Sequence, residues 1–182
     1  MSEEKSEEKI EATTTIMQEE IDLKRMVPPH DKKSRSVTEK DADRVVAEST
    51  ILYRLCFIPN GKYRGAFAMH HSQIDDKDPL NFFVTAERKI VINPTITRHS
   101  NYFVDSKEAC MSFPEEDQIM VKRWQKMEVE YVSIMVDSID KDKFKLSNTI
   151  QESLSGFESF VFQHEFDHGG EGKLIYPLLT KK

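Results

Sequence analysis

Two stretches of the chain carry apolar residues every three or four positions, a spacing typical of helices with one buried face. The first stretch follows Thr38, a residue type that caps helices, and acidic residues fill its first turn. The second is predicted to end at Gly169 and Gly170, because glycine is common just after a helix. The predicted buried faces consist of Val45, Ser49, Leu52 and Cys56 in the first helix and Leu154, Phe157, Val161, His164 and His168 in the second.

The segments between these helices alternate apolar and polar residues or are rich in β-branched and aromatic ones. Residues 81–84 and 89–92 are predicted to be short strands, and residues 127–134 a strand with one buried face. The charged residues 137–145 are predicted to form a hairpin or loop, and residues 174–176 a closing strand. Strands followed by one central helix indicate an α+β fold.

The first part of the chain differs in composition from the rest. Residues 1–26 are rich in Glu, Lys and Thr and poor in aromatic side chains. A segment of this kind has little apolar surface to bury. We therefore expect a polar N-terminal extension over 1–26, disordered or loosely packed, followed by one folded domain over 27–182.

Composition and charge restrict where the protein works and what it binds. The formal net charge of −6 disfavours a nucleic-acid backbone as partner, and two cysteines are too few for a disulfide scaffold. No apolar run approaches the ~18 residues needed to span a bilayer. The acidic N-terminus does not resemble a signal peptide. We expect a cytoplasmic protein with no membrane partner and no direct nucleic-acid partner, with an organelle as the alternative location.

The sequence Gln163-His164-Glu165-Phe166-Asp167-His168 contains an H-E-x-x-H motif. On a helix, positions i and i+4 lie on one face, so His164 and His168 can bind the same metal ion. Glu165 lies next to them and can reach a water molecule at that ion. The motif predicts a catalytic metal site, although two His at this spacing also occur by chance.

This motif and four segments that precede it in the chain resemble the motifs of the peptide deformylase family and occur in the family's order. That family has G-x-G-L-A-A-x-Q, then E-G-C-L-S, then Q-H-E-x-D-H on a helix. The third motif is complete here, and the second keeps Glu108, Cys110 and Ser112. The matching segments are Ala66–Ile74, Ile92–Pro94, Glu108–Ser112, Val121–Arg123 and Gln163–His168. The resemblance implies antiparallel sheets packed around a central helix that carries the H-E-x-x-H motif.

The first of these motifs departs most from the family. Ala66 and Ala68 stand where the family has glycine, and His70 and His71 replace its paired alanines. The added methyl groups are expected to narrow the cleft where backbone and substrate approach closely, which would alter the substrate range. The two histidines are expected to be surface residues or extra polar lining of the site. The sequence continues only a short way beyond His168, so the longer C-terminal helix common in the family is not expected.

The resemblance also implies an activity: metal-dependent hydrolysis of the formyl group from the N-terminal Met of new polypeptides. A thiolate and two imidazoles leave a fourth position open on the ion. Fe²⁺ is common in the family, and Zn²⁺, Ni²⁺ or Co²⁺ also suit these ligands. Ribosome-associated nascent chains are the implied partners. The implied roles are metal ligands for Cys110, His164 and His168, proton transfer for Glu165, and oxyanion donors for the Gln73 side chain and the Met111 backbone N–H.

Several roles stay open at this point. Gln73 could instead be a surface amide, and Cys110 an inert buried thiol. Asp167 is either a partner of a ligand or a solvated residue, and Glu108 either orients a ligand or pairs with Arg123. An apolar pocket for a methionine side chain is expected, although ordinary core residues would give the same pattern. Its expected residues are Phe67, Ala68, Phe157, Phe160 and Val161.

Two other functions compete with deformylation. The first is an H-E-x-x-H zinc peptidase, which the E-x-C-x-S segment around Cys110 disfavours because such peptidases usually draw a third ligand from His or a carboxylate. The second is a deformylase-like binding module that has lost turnover, which the altered first motif favours and the intact Glu165 disfavours.

Overall fold

The computed structural model describes two helices and nine strands within residues 26–28, 30, 32–57, 66–113, 118–138, 140 and 143–170. Helix α1 is Ala42–Phe57 and helix α2 is Phe157–His168; 3-10 turns lie at Glu39–Asp41 and His71–Gln73. The strands are β1 Ala68–His70, β2 Phe82–Thr85, β3 Ile90–His99, β4 Phe103–Glu108, β5 Ile119–Trp124, β6 Lys126–Val132, β7 Ile134–Val136, β8 Phe144–Leu146 and β9 Ile150–Ser155.

The strands form three antiparallel sheets. The main sheet has five strands in the order β1-β2-β3-β6-β9, and β4-β5 and β7-β8 are two-stranded sheets. Helix α2 contacts β1 and β9 of the main sheet and β5 of a small one. The predicted α+β fold, with antiparallel sheets around a central helix, is confirmed.

The main sheet has an apolar layer on each face because its side chains alternate between them. Phe82 and Val84 of β2 point to a core shared with α1, whereas Phe83 between them points to a core shared with α2. In β6, Met127 and Val129 are buried, with Glu128 exposed between them. The one-sided burial predicted for the strand over 127–134 holds for residues 127–131, but the strand ends at Val132 and β7 begins at Ile134. The main sheet separates the two helices.

Helix α1 forms where Thr38 predicted it, after one 3-10 turn. The backbone N–H and the hydroxyl of Thr38 both donate to one carboxylate oxygen of Asp41, each at 2.8 Å. Arg35 donates to both oxygens of the same carboxylate, at 2.8 and 3.0 Å. This ion pair fixes the segment that leads into the helix, and Ala42 begins the α-helical part.

Helix α2 begins later than its apolar spacing predicted. Leu154 belongs to β9, where it pairs with Met127 of β6, so its placement on the helix was wrong. The turn between strand and helix is made at Gly156, whose φ of +58° is rare for residues with a side chain. Leu154 lies three residues before Phe157, so its position fits the period of a helix as well as that of a strand. Only the change of direction at Gly156 separates β9 from α2.

The other end of α2 is the glycine pair that the sequence predicted. A Cβ at Gly169 would lie 2.8 Å from Asn81 Oδ1 and 3.3 Å from His70 Nε2, so only glycine allows the helix end to approach β1 this closely. Strands β7 and β8 pair as an antiparallel hairpin, and the described residues between them, 137, 138, 140 and 143, lie where the charged hairpin or loop was expected. The predicted strand over 174–176 and the extension up to residue 25 fall outside the described residues. Among the described helices, none is long and apolar enough to cross a membrane.

Candidate functional site

Three potential metal ligands meet at the C-terminal end of α2. The ligand atoms of Cys110, His164 and His168 all lie within 4.8 Å of one another, and the three residues are buried. His164 and His168 are one helical turn apart, and Cys110 follows the end of β4. Its Sγ lies 3.2 Å from His168 Nε2. The structure thus brings together the three residues that the sequence predicted as metal ligands.

The chemistry of this cluster fits a divalent ion. One thiolate and two imidazoles form a soft to borderline donor set and leave a coordination position for water or substrate. Glu165 lies beside the two histidines and is 4% exposed. Its Oε2 is buried and makes no hydrogen bond with any described residue. Burial raises the pKa of Glu165 to about 7, although the neighbouring His164 opposes that shift. The carboxylate is therefore available to a group that enters the cluster.

A buried ion network orients His164 from behind. Glu108 Oε2 lies 3.0 Å from His164 Nδ1, and both Glu108 oxygens accept from Arg123 at 2.8 Å. Burial opposes ionisation of Glu108, but the bonds to Arg123 and His164 outweigh it and hold the pKa at about 2. Arg123 also donates to Asp167 at 2.6 Å. Glu108 thus both orients a ligand and pairs with Arg123, and Asp167 is a buried partner, not a solvated residue.

Gln73 lies in the 3-10 turn after β1 and faces Cys110. Its side-chain oxygen accepts the His70 backbone N–H at 2.9 Å, which directs the amide nitrogen the opposite way. That nitrogen donates to Ser112 Oγ at 2.9 Å and lies 3.9 Å from Cys110 Sγ. Gln73 is buried, so the surface alternative is wrong. Met111, whose backbone N–H the sequence also proposed, directly follows Cys110.

The His70–His71 pair is buried, against the expectation of surface residues. Each side chain accepts a backbone N–H at Nδ1: His70 from Ser72 at 3.1 Å, and His71 from Leu80 at 3.0 Å. Burial lowers the pKa of His70 to about 3, so the ring is neutral. The two imidazoles therefore close the turn that carries Gln73. No sequence pattern in the chain distinguishes this use from an exposed pair.

An apolar cavity of about 120 Å³ lies between the N-terminal half of α2 and the main sheet. Three of the five residues expected to hold substrate line it: Phe67, Phe157 and Val161. Ala68 belongs to the core and Phe160 is half-buried elsewhere, so these two do not line this cavity. Several other lining residues were not predicted, because the spacing of apolar residues indicates burial and not which buried residues face a cavity: Phe83, Thr85, Val91, Leu154 and Phe162.

Comparisons with known proteins agree on one family. The family model described as polypeptide deformylase matches residues 63–182. Peptide deformylase 2 of Nostoc sp. is 31% identical over 123 residues, which are 68% of this chain and 52% of that protein. Peptide deformylase 1B, chloroplastic, of Solanum lycopersicum is 33% identical over 94 residues, 52% of this chain and 29% of that protein. The chain thus spans about half or less of the length of these curated relatives.

Solved structures show the same fold. Peptide deformylase from Thermotoga maritima superposes with a TM-score of 0.61 at 24% identity, over 80% of this chain and 87% of that one. The Plasmodium falciparum peptide deformylase complex with inhibitor also gives a TM-score of 0.61 at 24% identity, over 82% of each chain.

Proposed function

The chain belongs to the polypeptide deformylase family, and we propose that it hydrolyses the formyl group from the N-terminal methionine of nascent polypeptides. The observation that carries this proposal is the buried cluster of Cys110, His164 and His168 with the Glu165 carboxylate beside it. A peptidase of the H-E-x-x-H type has no comparable support, since its third ligand would be His or a carboxylate where this chain has Cys110.

The three ligands would hold one divalent ion. Fe²⁺ is the proposed metal, with Zn²⁺, Ni²⁺ or Co²⁺ as alternatives that the same donor set accepts. When bound, the ion supplies Lewis acidity that polarises the formyl carbonyl and lowers the pKa of water. Glu108 and Arg123 keep His164 in a fixed orientation through the 3.0 Å contact at Nδ1, so the other ring nitrogen stays directed into the cluster.

Glu165 is the proposed general base and acid. It takes a proton from the attacking water as the new C–O bond forms at the formyl carbon. It then donates that proton to the methionine nitrogen as the C–N bond breaks, which releases formate and a free amine. Burial suits this role because the carboxylate exchanges its proton with the reacting groups and not with bulk solvent.

Gln73 and the Met111 backbone are the proposed donors to the carbonyl oxygen as negative charge develops there. The Gln73 amide is held by the His70 N–H and points toward Cys110 and Ser112. Its position is therefore set before substrate binds, which is the condition under which a donor stabilises a transition state most effectively.

The methionine side chain is proposed to occupy the apolar cavity lined by Phe67, Phe157 and Val161. The ring of Phe67, just before β1, and that of Phe157, at the start of α2, meet edge-to-face with their centroids 4.7 Å apart. Aromatic edges suit a thioether sulfur. Ribosome-associated nascent chains are the proposed source of substrate. The cytoplasm is the proposed location, and an organelle is the alternative, since one relative is chloroplastic.

The test is release of formate from formyl-Met-Ala-Ser by purified, metal-loaded protein, with the free-amine peptide identified by mass spectrometry. Deformylation should depend on both the metal and Glu165, and Glu128→Gln on the outer side of β6 serves as a matched carboxylate control. Cleavage of internal peptide bonds without formate would favour the peptidase. Binding of the formyl peptide without turnover would favour a binding module.

A further inference from the structure

Two cavities on the main sheet share an ion pair as their common boundary. The apolar cavity beside α2 is lined at one end by Lys89 and Glu152, and the same two residues line a second, open cavity of about 540 Å³. Lys89 Nζ lies 2.6 Å from Glu152 Oε1. The ion pair therefore stands between the small cavity and a larger space on the far side.

Each part of this boundary has a defined support. Lys89 comes from the β2–β3 turn, where its backbone N–H donates to Thr85 Oγ1 at 3.3 Å. Glu152 comes from β9, and its second oxygen accepts the Tyr131 hydroxyl at 2.9 Å. The carboxylate is thus held at both oxygens across two neighbouring strands, which keeps it over the end of the cavity.

The space beyond the boundary is lined in part by apolar side chains, beside polar ones such as Ser133 and Gln151. Ile90, Ile134 and Ile150 contribute to the lining of the open cavity. A linear side chain longer than methionine would reach these residues only by displacing the ion pair or by lying against its charged groups. Both arrangements remove water from charges, and burying a charge without a full set of partners is unfavourable.

We infer that the Lys89–Glu152 pair is the end wall of the substrate pocket and sets the maximum length of the first side chain. This inference rests on the proposed function for the identity of the occupant. Val161 lies one turn before His164 on α2, whereas Lys89 and Glu152 come from the β2–β3 turn and from β9. The pair accepts a side chain of methionine length and excludes longer linear ones.

The wall can be removed without unfolding the protein. The side chains of Lys89 and Glu152 are 42% and 29% exposed, and ion pairs at such exposure contribute little to stability. Lys89→Ala and Glu152→Ala should therefore melt near the wild-type temperature while opening one cavity into the other. Glu152→Gln keeps the size of the wall and removes its charge, so it separates a steric effect from an electrostatic one.

The first readout is turnover of formyl-X-Ala-Ser, where X is methionine, 2-aminooctanoate or 2-aminodecanoate. In both alanine variants, kcat/KM for the longest side chain relative to methionine should rise by about tenfold or more, the discrimination that a few methylene groups provide. Glu152→Gln should raise the ratio less than the alanine variants do, because it removes the charge of the wall and keeps its size. Asp105→Ala, which removes an exposed ion pair with Lys122 on β4–β5, is the matched control and should leave the ratio unchanged.

The second readout is binding, which does not depend on turnover. Calorimetric titration of the same peptides into Glu165→Gln protein should show weak binding of the aminodecanoyl peptide. Adding Lys89→Ala or Glu152→Ala to this protein should tighten binding of the aminodecanoyl peptide by about tenfold or more, as in the first readout. A ratio that stays at the wild-type value in both readouts would overturn the inference. If formate is never released but binding still shows the length effect, the wall stands and the proposed reaction fails.

Discussion

At the scale of single residues, the proposed metal site takes one ligand from a loop and two from a helix. His164 and His168 are positioned by α2 itself, whereas Cys110 follows β4 and completes the cluster. Cys110→Ala should lose most of the bound metal, because two imidazoles one turn apart leave half of a four-coordinate shell unfilled. Metal content per chain by plasma mass spectrometry measures this.

Cys56→Ala is the matched control, since Cys56 is also buried but lies in α1 outside the cluster. It should keep the metal while lowering stability by the amount typical of a small core truncation. Equal metal content in Cys110→Ala and wild type would rule out Cys110 as a ligand.

Glu165→Gln preserves the shape of the buried side chain and removes its ability to take a proton. The variant should bind metal normally, while kcat falls by about 10²–10⁴-fold, the contribution of a well-placed general base. Formate release under saturating substrate measures the loss. Retention of wild-type kcat would require another proton acceptor in the pocket.

Gln73→Ala should affect the chemical step more than binding. Its amide nitrogen faces the cluster with its orientation fixed by the His70 N–H, so its loss should lower kcat by about 10²–10³-fold with little change in KM. Ser112→Ala removes the hydroxyl that Gln73 bonds but keeps the amide, and should cost far less. A large rise in KM at unchanged kcat would instead assign Gln73 to substrate binding.

At the scale of elements, the turn between β9 and α2 holds a backbone position that few residues other than glycine can adopt. Gly156 has φ +58° and ψ −130°, a conformation nearly closed to other residues. Gly156→Ala should lower the free energy of unfolding by about 1–3 kcal/mol through backbone strain alone. The nearest atom to the added Cβ, Gln125 Nε2, is 3.7 Å away, so no steric clash contributes.

Urea denaturation of Gly156→Ala beside Ser155→Ala, an exposed neighbour with ordinary backbone, measures that strain. Metal affinity should follow stability only weakly, because the ligands lie at the other end of α2. Equal unfolding energies for the two variants would show that the turn adapts without strain.

The elements themselves were largely predictable, and the exceptions have physical causes. The alternation of residues 127–131 fits only a strand with one buried face. The glycine pair after His168 fits only the end of a helix, and both features were predicted correctly. Leu154 fits a strand and a helix equally well, so periodicity alone could not place it. The buried positions of His70 and His71 depend on backbone N–H groups of Ser72 and Leu80, which become partners only after folding.

The ligand set was predictable for a related reason. His164, Glu165 and His168 are placed by the geometry of one helix, so the sequence contains their arrangement directly. The contact of Cys110 with His168 and the wall formed by Lys89 and Glu152 join segments far apart in the chain. The resemblance to a family supplied the first of these contacts, and nothing in the sequence indicated the second.

At the scale of the whole molecule, Arg35 pairs with Asp41 in the segment before α1 and with Asp78 between β1 and β2. Arg35 holds the pKa of Asp41 well below its usual value, with Thr38 adding further hydrogen bonds to the same carboxylate. Because the pKa is lower in the folded state, this pair stabilises the protein above the unfolded pKa near 4 and loses that contribution as pH falls below it.

The free energy of unfolding of wild type and Asp41→Asn should therefore differ most at pH 6 and converge as the pH is lowered from 4 to 2. Urea denaturation at several pH values measures the difference. Asp105→Asn, on the exposed side of β4, should show a small difference that changes little. A gap between wild type and Asp41→Asn that widens on acidification would contradict the sign derived from the pKa.

The two imidazoles of the first motif also restrict the evolutionary paths open to this chain. If His70 or His71 returned singly to the alanine of its relatives, one buried N–H would lose its acceptor, a change that costs about 1–3 kcal/mol. Gly169 depends on the same side chain, because a Cβ at this position would lie 3.3 Å from His70 Nε2. The alanines of the family motif should therefore be harmful in this chain when introduced one at a time, although the family uses them at these positions.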